Sequence, residues 1–248
     1  MMLLAKGRYL ARLATDDAEV AAAQALRHRR FLFDRGLAAA PRGRDADGFD
    51  AACQHILVEE CRSGALVCCC RLMALTGASA GRDSYSAQFY DLAPLARLGG
   101  PMLEVGRFCL HPDWHDPDIL RLAWAAMTLL VDRDGIRLLL GCSSFPGSDP
   151  LPHLPALRFL QRHLAPPDWR PGRKAAEVIG FADLPGGAEG GAAVPPLLRT
   201  YLAMGGWVSD HAVIDRQLDT LHVFTAVEID RIPPARARAL RAIAGTAA

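Results

Sequence analysis

The stretch Met102-Leu103-Glu104-Val105-Gly106-Arg107-Phe108-Cys109-Leu110 places two opposite charges inside an otherwise apolar run. The run predicts a central β-strand that ends before Pro112, because proline has no N–H to give to a sheet ladder. A buried carboxylate and a buried guanidinium are costly without partners, so Glu104 and Arg107 must each have one.

Gly106 lies between the two charges, which a regular strand would turn to opposite faces of the sheet. A glycine at this point favours a β-bulge, which would reorient both side chains and release a backbone N–H able to donate to an oxyanion. A structural ion pair at a sheet edge explains the same spacing equally well.

The elements around this strand predict a mixed fold. Ile119–Asp132 is a helix with apolar residues nearly all round, and Arg137–Ser144 is a buried strand, which gives a strand–helix–strand unit. Upstream, His55–Glu60 and Ala65–Met73 form a hairpin through Arg62-Ser63-Gly64. We therefore expect an α/β (α+β) fold with a mixed, mostly antiparallel central sheet flanked by helices.

Other predicted elements are the strands Arg8–Ala14 and His222–Glu228, a helix from Asp16 to about Phe33, and helices near Leu154–His163, Leu197–Met204 and Pro233–Ala244. Ser84–Leu92 fits either a helix or a strand.

Composition limits the classes of function. The chain has 248 residues, of which 51% are hydrophobic, and a net charge of +1, which excludes the basic field of a nucleic-acid-binding protein.

Its seven cysteines include the consecutive Cys68, Cys69 and Cys70, which point alternately to opposite faces of a strand and fit reduced thiols in the cytoplasm. None of the eight histidines has metal-site spacing, so we expect no metal. The longest uncharged helical stretch, Leu122–Val131, is about half the length that a bilayer crossing needs.

Further charged residues stand in apolar or helical surroundings. Arg71 is the lone charge in the strand Ala65–Met73, where it either reaches solvent at an edge or binds an anion. Arg27 and Phe31 lie late on the first helix, ahead of an acidic loop that contains Asp45, Asp47 and Asp50. Taken alone, each of these groups fits a solvated surface.

Together the pieces resemble the GNAT-fold acyltransferases that use acyl carrier protein, including acyl-homoserine-lactone synthases. The closer resemblance is to the ornithine-acyl-carrier-protein N-acyltransferases, sometimes labelled hemolysin-like. It rests on Gly7–Ala14, Glu104–Arg107, Gly141–Pro150, Pro195–Leu202 and Val213–Arg216, and so covers nearly the whole chain. It implies an acyltransferase core over residues 1–182 and a C-terminal extension over residues 183–248 that packs on the same domain.

The resemblance implies a role for each candidate residue. Glu104 would be the base that takes a proton from the incoming ammonium, and the backbone N–H groups of Gly106 and Arg107 would stabilise the oxyanion. Arg71 and Arg107 would organise the site by holding either a substrate carboxylate or the acidic loop. The remaining substrate-binding candidates are Arg27, Phe31, Asp47, Asp50, Ser143, Ser144 and Phe145, of which the serines would line the channel for the acyl chain or the carrier protein.

The expected donor is acyl-acyl carrier protein, with no further cofactor, and the expected acceptor is an amino acid, most simply L-ornithine. Enzymes of this fold that bind coenzyme A hold its pyrophosphate at a glycine-containing helix start. Here the corresponding stretch, His111–Asp118, has two prolines, three aspartates and no glycine, which disfavours a free coenzyme A donor.

Two basic stretches suggest partners. Arg158, Arg162, Arg170, Arg173 and Lys174 could dock an acidic carrier protein or meet anionic headgroups, and the terminal helix could lie on the inner membrane. A solvated surface explains both stretches too. The alternatives in function are a lactone synthase that uses S-adenosylmethionine, which the chain after Asp183 argues against, and a non-catalytic membrane- or lipid-binding protein.

Overall fold

The computed structural model describes residues 2–245. Its strands are β1 Met2–Lys6, β2 Tyr9–Leu13, β3 Gln54–Glu60, β4 Leu66–Thr76, β5 Tyr90–Asp91, β6 Pro101–Leu110, β7 Leu138–Pro146, β8 Gly172–Arg173, β9 Val178–Gly180, β10 Trp207–Val208, β11 His211–Asp215 and β12 Thr220–Glu228. Its α-helices are α1 Asp17–His28, α2 Gly77–Asp83, α3 Pro117–Arg133, α4 Leu154–Leu160, α5 Pro196–Ala203 and α6 Pro234–Gly245.

These elements form two compact units. The first contains residues 2–73, Val105–Gly135 and residues 234–245. The second contains Ala74–Glu104 and Ile136–Pro233. The chain therefore crosses from one unit to the other within β4 and within β6. The predicted division at residue 182 stays a prediction.

The first unit is built on the antiparallel order β1-β2-β3-β4, with residues 105–110 of β6 next to β4. The predicted hairpin is confirmed: Ile56 pairs with Cys70 and Leu57 with Cys69, and Gly64 supplies the positive φ of +67° that the turn requires. The three consecutive cysteines are buried and unbridged.

Helices cover the sheet of the first unit. The Asp16 side chain caps α1 by accepting a hydrogen bond from the Glu19 N–H, and α1 continues into one π-helical turn at Arg29–Phe33, where the predicted helix ends. Helix α3 is buried nearly all round against β1, β2 and β3, and α6 packs on α3. An ion pair from Arg241 to Asp132, at 2.7 Å, joins these two helices.

In the second unit, residues 102–104 of β6 pair in parallel with residues 138–140 of β7. The other edge of β7 pairs with β12 in an antiparallel ladder from Pro146 opposite Thr220 to Leu138 opposite Glu228. Strands β11 and β9 extend this order. The mixed, mostly antiparallel sheet is confirmed, and one face of it is covered by α4 and α5 in a core that includes Phe145, Leu157 and Leu198.

Between residues 2 and 245, no helix has both the length and the apolar character required to cross a bilayer.

Candidate active site

Glu104 is a buried carboxylate of the second unit, with 4% of its surface exposed. Its Oε2 accepts a hydrogen bond from the Tyr85 N–H at 2.7 Å. Its Oε1 accepts two from Ser86, one from the N–H at 2.8 Å and one from the Oγ hydroxyl at 2.5 Å. Hydrogen bonds donated to a carboxylate favour its ionised form, so these three contacts offset the cost of burying the charge.

The ladder between β6 and β7 fixes which residues share a face with Glu104. Glu104 is paired with Leu140, and side chains alternate along a strand, so Cys142 and Ser144 lie on the same face as Glu104. The Ser86 hydroxyl lies 3.4 Å from the Cys142 Sγ, which agrees with this register. Ser144 is exposed on this face.

Ser143 and Phe145 point to the opposite face of the sheet. Ser143 accepts a hydrogen bond from the Thr225 hydroxyl at 3.0 Å, and Phe145 is buried in the core against α4. Of the three candidates predicted on β7, the structure therefore brings only Ser144 to the side of Glu104.

The first unit contains a second constellation, which we call the arginine–aspartate network. Its members are Arg27, Arg71, Arg107, Asp45, Asp47 and Asp50. Arg27, with 1% of its side chain exposed, donates to Asp45 at 3.0 Å and to Asp50 at 2.8 Å. Three guanidinium and three carboxylate groups balance in charge, which makes their burial tolerable.

Arg71 and Arg107 complete the network from strands β4 and β6. Arg71 donates to Asp47 at 2.5 Å and to Asp50 at 2.8 Å, and Arg107 donates to Asp45 at 2.9 Å. Of the two partners that the sequence left open for these arginines, the acidic loop is the one observed. The network therefore ties the loop that carries the aspartates to α1, β4 and β6.

Two carboxyl groups of this loop, those of Asp47 and Asp50, have lowered pKa values. Burial alone would raise the pKa of Asp50, but hydrogen bonds from Arg27 and Arg71 outweigh it and hold that pKa far below its usual range. The same balance, with Arg71 as the main partner, lowers the pKa of Asp47.

The backbone kink next to Glu104 lies at Arg107 rather than at Gly106. Arg107 has φ +51°, in the left-handed region that residues with a side chain rarely adopt. At Gly106, an added Cβ would lie 3.4 Å from the Arg71 Nε, which is an ordinary van der Waals distance. The glycine is therefore not required by its surroundings, and the unusual backbone conformation belongs to Arg107.

Phe31 lies in the π-helical turn and packs against a core that includes Leu26, Leu57 and Cys109. The structure thus places it beside α1, within the hydrophobic interior of the first unit.

The start of α3 is closed by the protein's own groups. The Asp116 side chain accepts a hydrogen bond from the Asp118 N–H at 2.9 Å and another from the Tyr9 hydroxyl at 3.0 Å. Pro117 is the first residue of the helix and has no N–H. An anion at this helix start would meet a carboxylate instead of unpaired N–H groups.

The basic stretch between residues 158 and 174 has partners within its own unit. Arg158 donates to the carbonyl oxygens of Pro185, Gly186 and Ala188, and Arg162 pairs with Glu189 at 2.6 Å. Lys174 donates to the carbonyl of Ala87 at 2.6 Å.

The terminal helix α6, the candidate for membrane contact, has half-buried apolar side chains at Leu240 and Ile243 that alternate with exposed arginines.

The contacts of Glu104 that the sequence did not indicate come from the segment Ser84–Leu92. Besides Tyr85 and Ser86, this segment contains Tyr90, whose hydroxyl donates to the His222 carbonyl at 2.9 Å. Burial lowers the pKa of His222 to about 4, so its imidazole is neutral at pH 7. The described chain contains no group of three or more His, Cys, Asp or Glu side chains placed to hold a metal ion.

Comparisons with known proteins agree with this architecture. A family model described as an acetyltransferase (GNAT) domain matches residues 26–125. The L-ornithine N(alpha)-acyltransferase of Brucella abortus (strain 2308) is 33% identical over 238 residues, which is 89% of this chain and 84% of that protein. The protein of the same name from Rhizobium meliloti (strain 1021) is 32% identical over 237 residues, with 89% of this chain and 80% of that protein covered.

Among solved structures, FeeM, an N-acyl amino acid synthase from uncultured soil microbes, superposes with a TM-score of 0.51 and 12% sequence identity. The match covers 91% of this chain and 93% of that chain, and it confirms the predicted fold class.

Proposed function

The chain belongs to the family of L-ornithine N(alpha)-acyltransferases, and on that premise we propose that it transfers a 3-hydroxyacyl chain from acyl carrier protein to the α-amine of L-ornithine. This reaction is the first step in making an ornithine lipid. The observation that carries the proposal is 33% identity to a protein of that name over 89% of this chain.

In the proposed reaction, Glu104 accepts a proton from the α-ammonium of ornithine, directly or through one water. The amine nitrogen then attacks the thioester carbonyl and forms the C–N bond. The backbone N–H groups of Gly106 and Arg107 donate to the resulting oxyanion, which is the step where preorganised donors contribute most. The oxyanion then re-forms the carbonyl as the C–S bond breaks, and the nitrogen gives up its second proton. The departing thiolate of the carrier's prosthetic group takes up a proton, which leaves the amide and a free thiol.

The arginine–aspartate network supports this chemistry by holding β6 in place. Arg107 is three residues from Glu104 on one strand, and Asp45 holds its guanidinium. Because Arg27, Arg71, Asp47 and Asp50 are engaged with one another, we assign them to holding the acidic loop in place within the first unit. Ser144, exposed on the face of Glu104, is the candidate on β7 for contact with the donor chain.

We favour carrier protein over coenzyme A as the donor because of the closed start of α3. Asp116 and Pro117 leave little at this helix end to bind a pyrophosphate, whereas a carrier protein presents a single phosphodiester and a large surface of its own. We place the reaction in the cytoplasm, with peripheral contact to the inner membrane where the lipid product belongs.

The direct test incubates the purified protein with L-ornithine and either 3-hydroxyacyl carrier protein or the matching 3-hydroxyacyl coenzyme A. We expect N-acyl-ornithine, detected by mass spectrometry, from the carrier-protein thioester and little from the coenzyme A thioester. If ornithine, glutamine and lysine all failed to give an acylated amino acid, the function would be refuted. Equal rates with both thioesters would refute the choice of donor. Sedimentation with vesicles that contain anionic lipid tests the membrane contact.

The base is tested by Glu104→Gln, which keeps the shape of the side chain and removes its basicity. Because general base catalysis contributes roughly 10²–10⁴-fold, we expect a loss of turnover of that order with an unchanged circular dichroism spectrum. Glu60→Gln is a matched control, since Glu60 is also buried and also accepts hydrogen bonds from a serine N–H, at 2.8 Å, and its hydroxyl, at 2.6 Å. Near-normal turnover in Glu104→Gln would show that another group takes the proton.

A further inference from the structure

Ser86 touches Glu104 twice and is itself fully buried, with 0% of its surface exposed. Its N–H and its hydroxyl both donate to Oε1 of Glu104, at 2.8 Å and 2.5 Å. The Tyr85 N–H reaches Oε2 at 2.7 Å. Two neighbouring residues therefore fix both oxygens of one carboxylate.

The direction of the hydroxyl bond follows from the chemistry of the partners. An ionised carboxylate can only accept, so the Ser86 hydroxyl gives its hydrogen to Glu104. The Ser86 Oγ can then only accept from the Cys142 Sγ–H, 3.4 Å away on β7. Ser86 thus lies in a directed chain that runs from the thiol through the hydroxyl to the carboxylate.

We propose that Ser86 is a positioning residue that holds Glu104 in one orientation and in its ionised, proton-accepting form. The inference rests on the proposed role of Glu104 as the base and adds a residue to it that the sequence did not indicate.

The segment that carries Ser86 is itself fixed at several points, as a positioning role requires. The Lys174 ammonium donates to the Ala87 carbonyl at 2.6 Å, and the Ala175 N–H donates to the Phe89 carbonyl at 2.9 Å. The Phe89 ring packs edge-on against the His222 ring, with centroids 4.9 Å apart. Ser86 therefore cannot turn away from Glu104 without moving a braced turn.

The consequence for catalysis has a definite sign. A hydrogen bond to the ionised carboxylate keeps Glu104 deprotonated to lower pH, so removing it should move the acid limb of the rate profile to higher pH. The loss of one bond to a charged group corresponds to a shift of about one pH unit, or roughly tenfold in the ionisation constant. Cys142 is the titratable side chain that meets Ser86 from β7, so the profile is also recorded in Cys142→Ala.

The experiment compares Ser86→Ala with Ser84→Ala, a matched control in the same turn. The Ser84 hydroxyl is also buried but bonds the Ala80 carbonyl, at 2.6 Å, and the Ala87 N–H, at 3.1 Å. For Ser86→Ala we expect kcat to fall roughly tenfold or more at neutral pH and the KM for the carrier thioester to stay unchanged. The acid limb of the pH–rate profile should move to higher pH. Ser84→Ala should keep the wild-type profile. A Ser86→Ala enzyme whose kcat and acid limb match those of Ser84→Ala would overturn the proposal.

A second pair keeps the test decisive if the alanine variant does not fold. Ser86→Thr and Ser86→Val add the same bulk at the same buried position, but only threonine keeps the hydroxyl. The positioning role predicts that Ser86→Thr keeps the wild-type pH–rate profile, whereas the acid limb of Ser86→Val moves to higher pH. Equal pH–rate profiles in the two variants would refute the role.

A titration that needs no substrate separates this inference from the proposed function. The Glu104 carboxyl carbon can be followed by ¹³C NMR and assigned with Glu104→Gln. Its midpoint should rise in Ser86→Ala relative to Ser84→Ala, and an unchanged midpoint would refute the inference. A wild-type protein that makes no acylated amino acid would refute only the proposed function.

Discussion

Arg107→Ala and Arg107→Gly remove the same guanidinium but differ in what they leave at a residue with φ +51°. Both variants lose the 2.9 Å hydrogen bond to Asp45, which keeps its 3.0 Å bond from Arg27. A bond to a charged group contributes about 1.5–3 kcal/mol, and the side chain is largely buried, so each variant should lose stability in this range.

The backbone then separates the two variants. A residue with a Cβ in the left-handed region costs roughly 1–2 kcal/mol, which glycine avoids. At an ordinary strand position the order is reversed, because glycine is about 0.5–1 kcal/mol worse than alanine. We therefore expect Arg107→Gly to be about 1 kcal/mol more stable than Arg107→Ala, measured as the free energy of unfolding in urea with equal m-values. An alanine variant as stable as the glycine variant, or more stable, would show that the left-handed backbone is not a feature of the folded state.

Three further outcomes follow from the buried groups. The pKa of Asp50 is held below its unfolded value, so the stability it contributes is present above about pH 4 and is lost as the pH falls further. Asp50→Asn should therefore reduce the dependence of the free energy of unfolding on pH below about pH 4, measured in urea. An unchanged dependence would contradict the lowered pKa. Burial lowers the pKa of His222 to about 4, so between about pH 6.5 and pH 4 the unfolded chain binds a proton that the folded chain does not. The free energy of unfolding should therefore decrease as the pH is lowered through this window, and it should decrease less in His222→Phe. Equal pH profiles of the two proteins would refute the lowered pKa. A maleimide should label the exposed Cys61 first, and mass spectrometry should find Cys68–Cys70 modified only after denaturation; early labelling of that triplet would show that β4 opens in the native protein.

The hydrophobic pattern predicted six strands of the large sheet, β2, β3, β4, β6, β7 and β12, and the described α-helices other than α2. It did not predict β1, β9 and β11 of the same sheet. The hairpin of β3 and β4 follows from two apolar runs around Gly64, and α3 follows from an apolar helix between two buried strands. The sequence left the partner of Arg71 open between solvent, a substrate carboxylate and the acidic loop, and the structure shows it paired with Asp47 and Asp50 of that loop.

The surroundings of Glu104 could not be predicted in this way. Ser84–Leu92 contains one short 3₁₀ turn and a strand of two residues, so it has neither helical nor strand periodicity. Its contacts with Glu104 span 18 and 19 residues and use mainly backbone N–H groups, which every residue except proline carries. The sequence also did not predict that the kink lies at Arg107. Glycine is the residue that usually adopts the left-handed conformation, and here the arginine next to a glycine adopts it.

The closed start of α3 bears on inhibitor selectivity. Compounds that join a substrate to a nucleotide diphosphate bring negative charge that binds best at an open helix N-terminus. In this protein the Asp116 carboxylate already occupies that end, held by Tyr9 and by the Asp118 N–H. Such compounds would lose their main anchor here, so a selective ligand must take its affinity from the acyl chain and the amino acid instead.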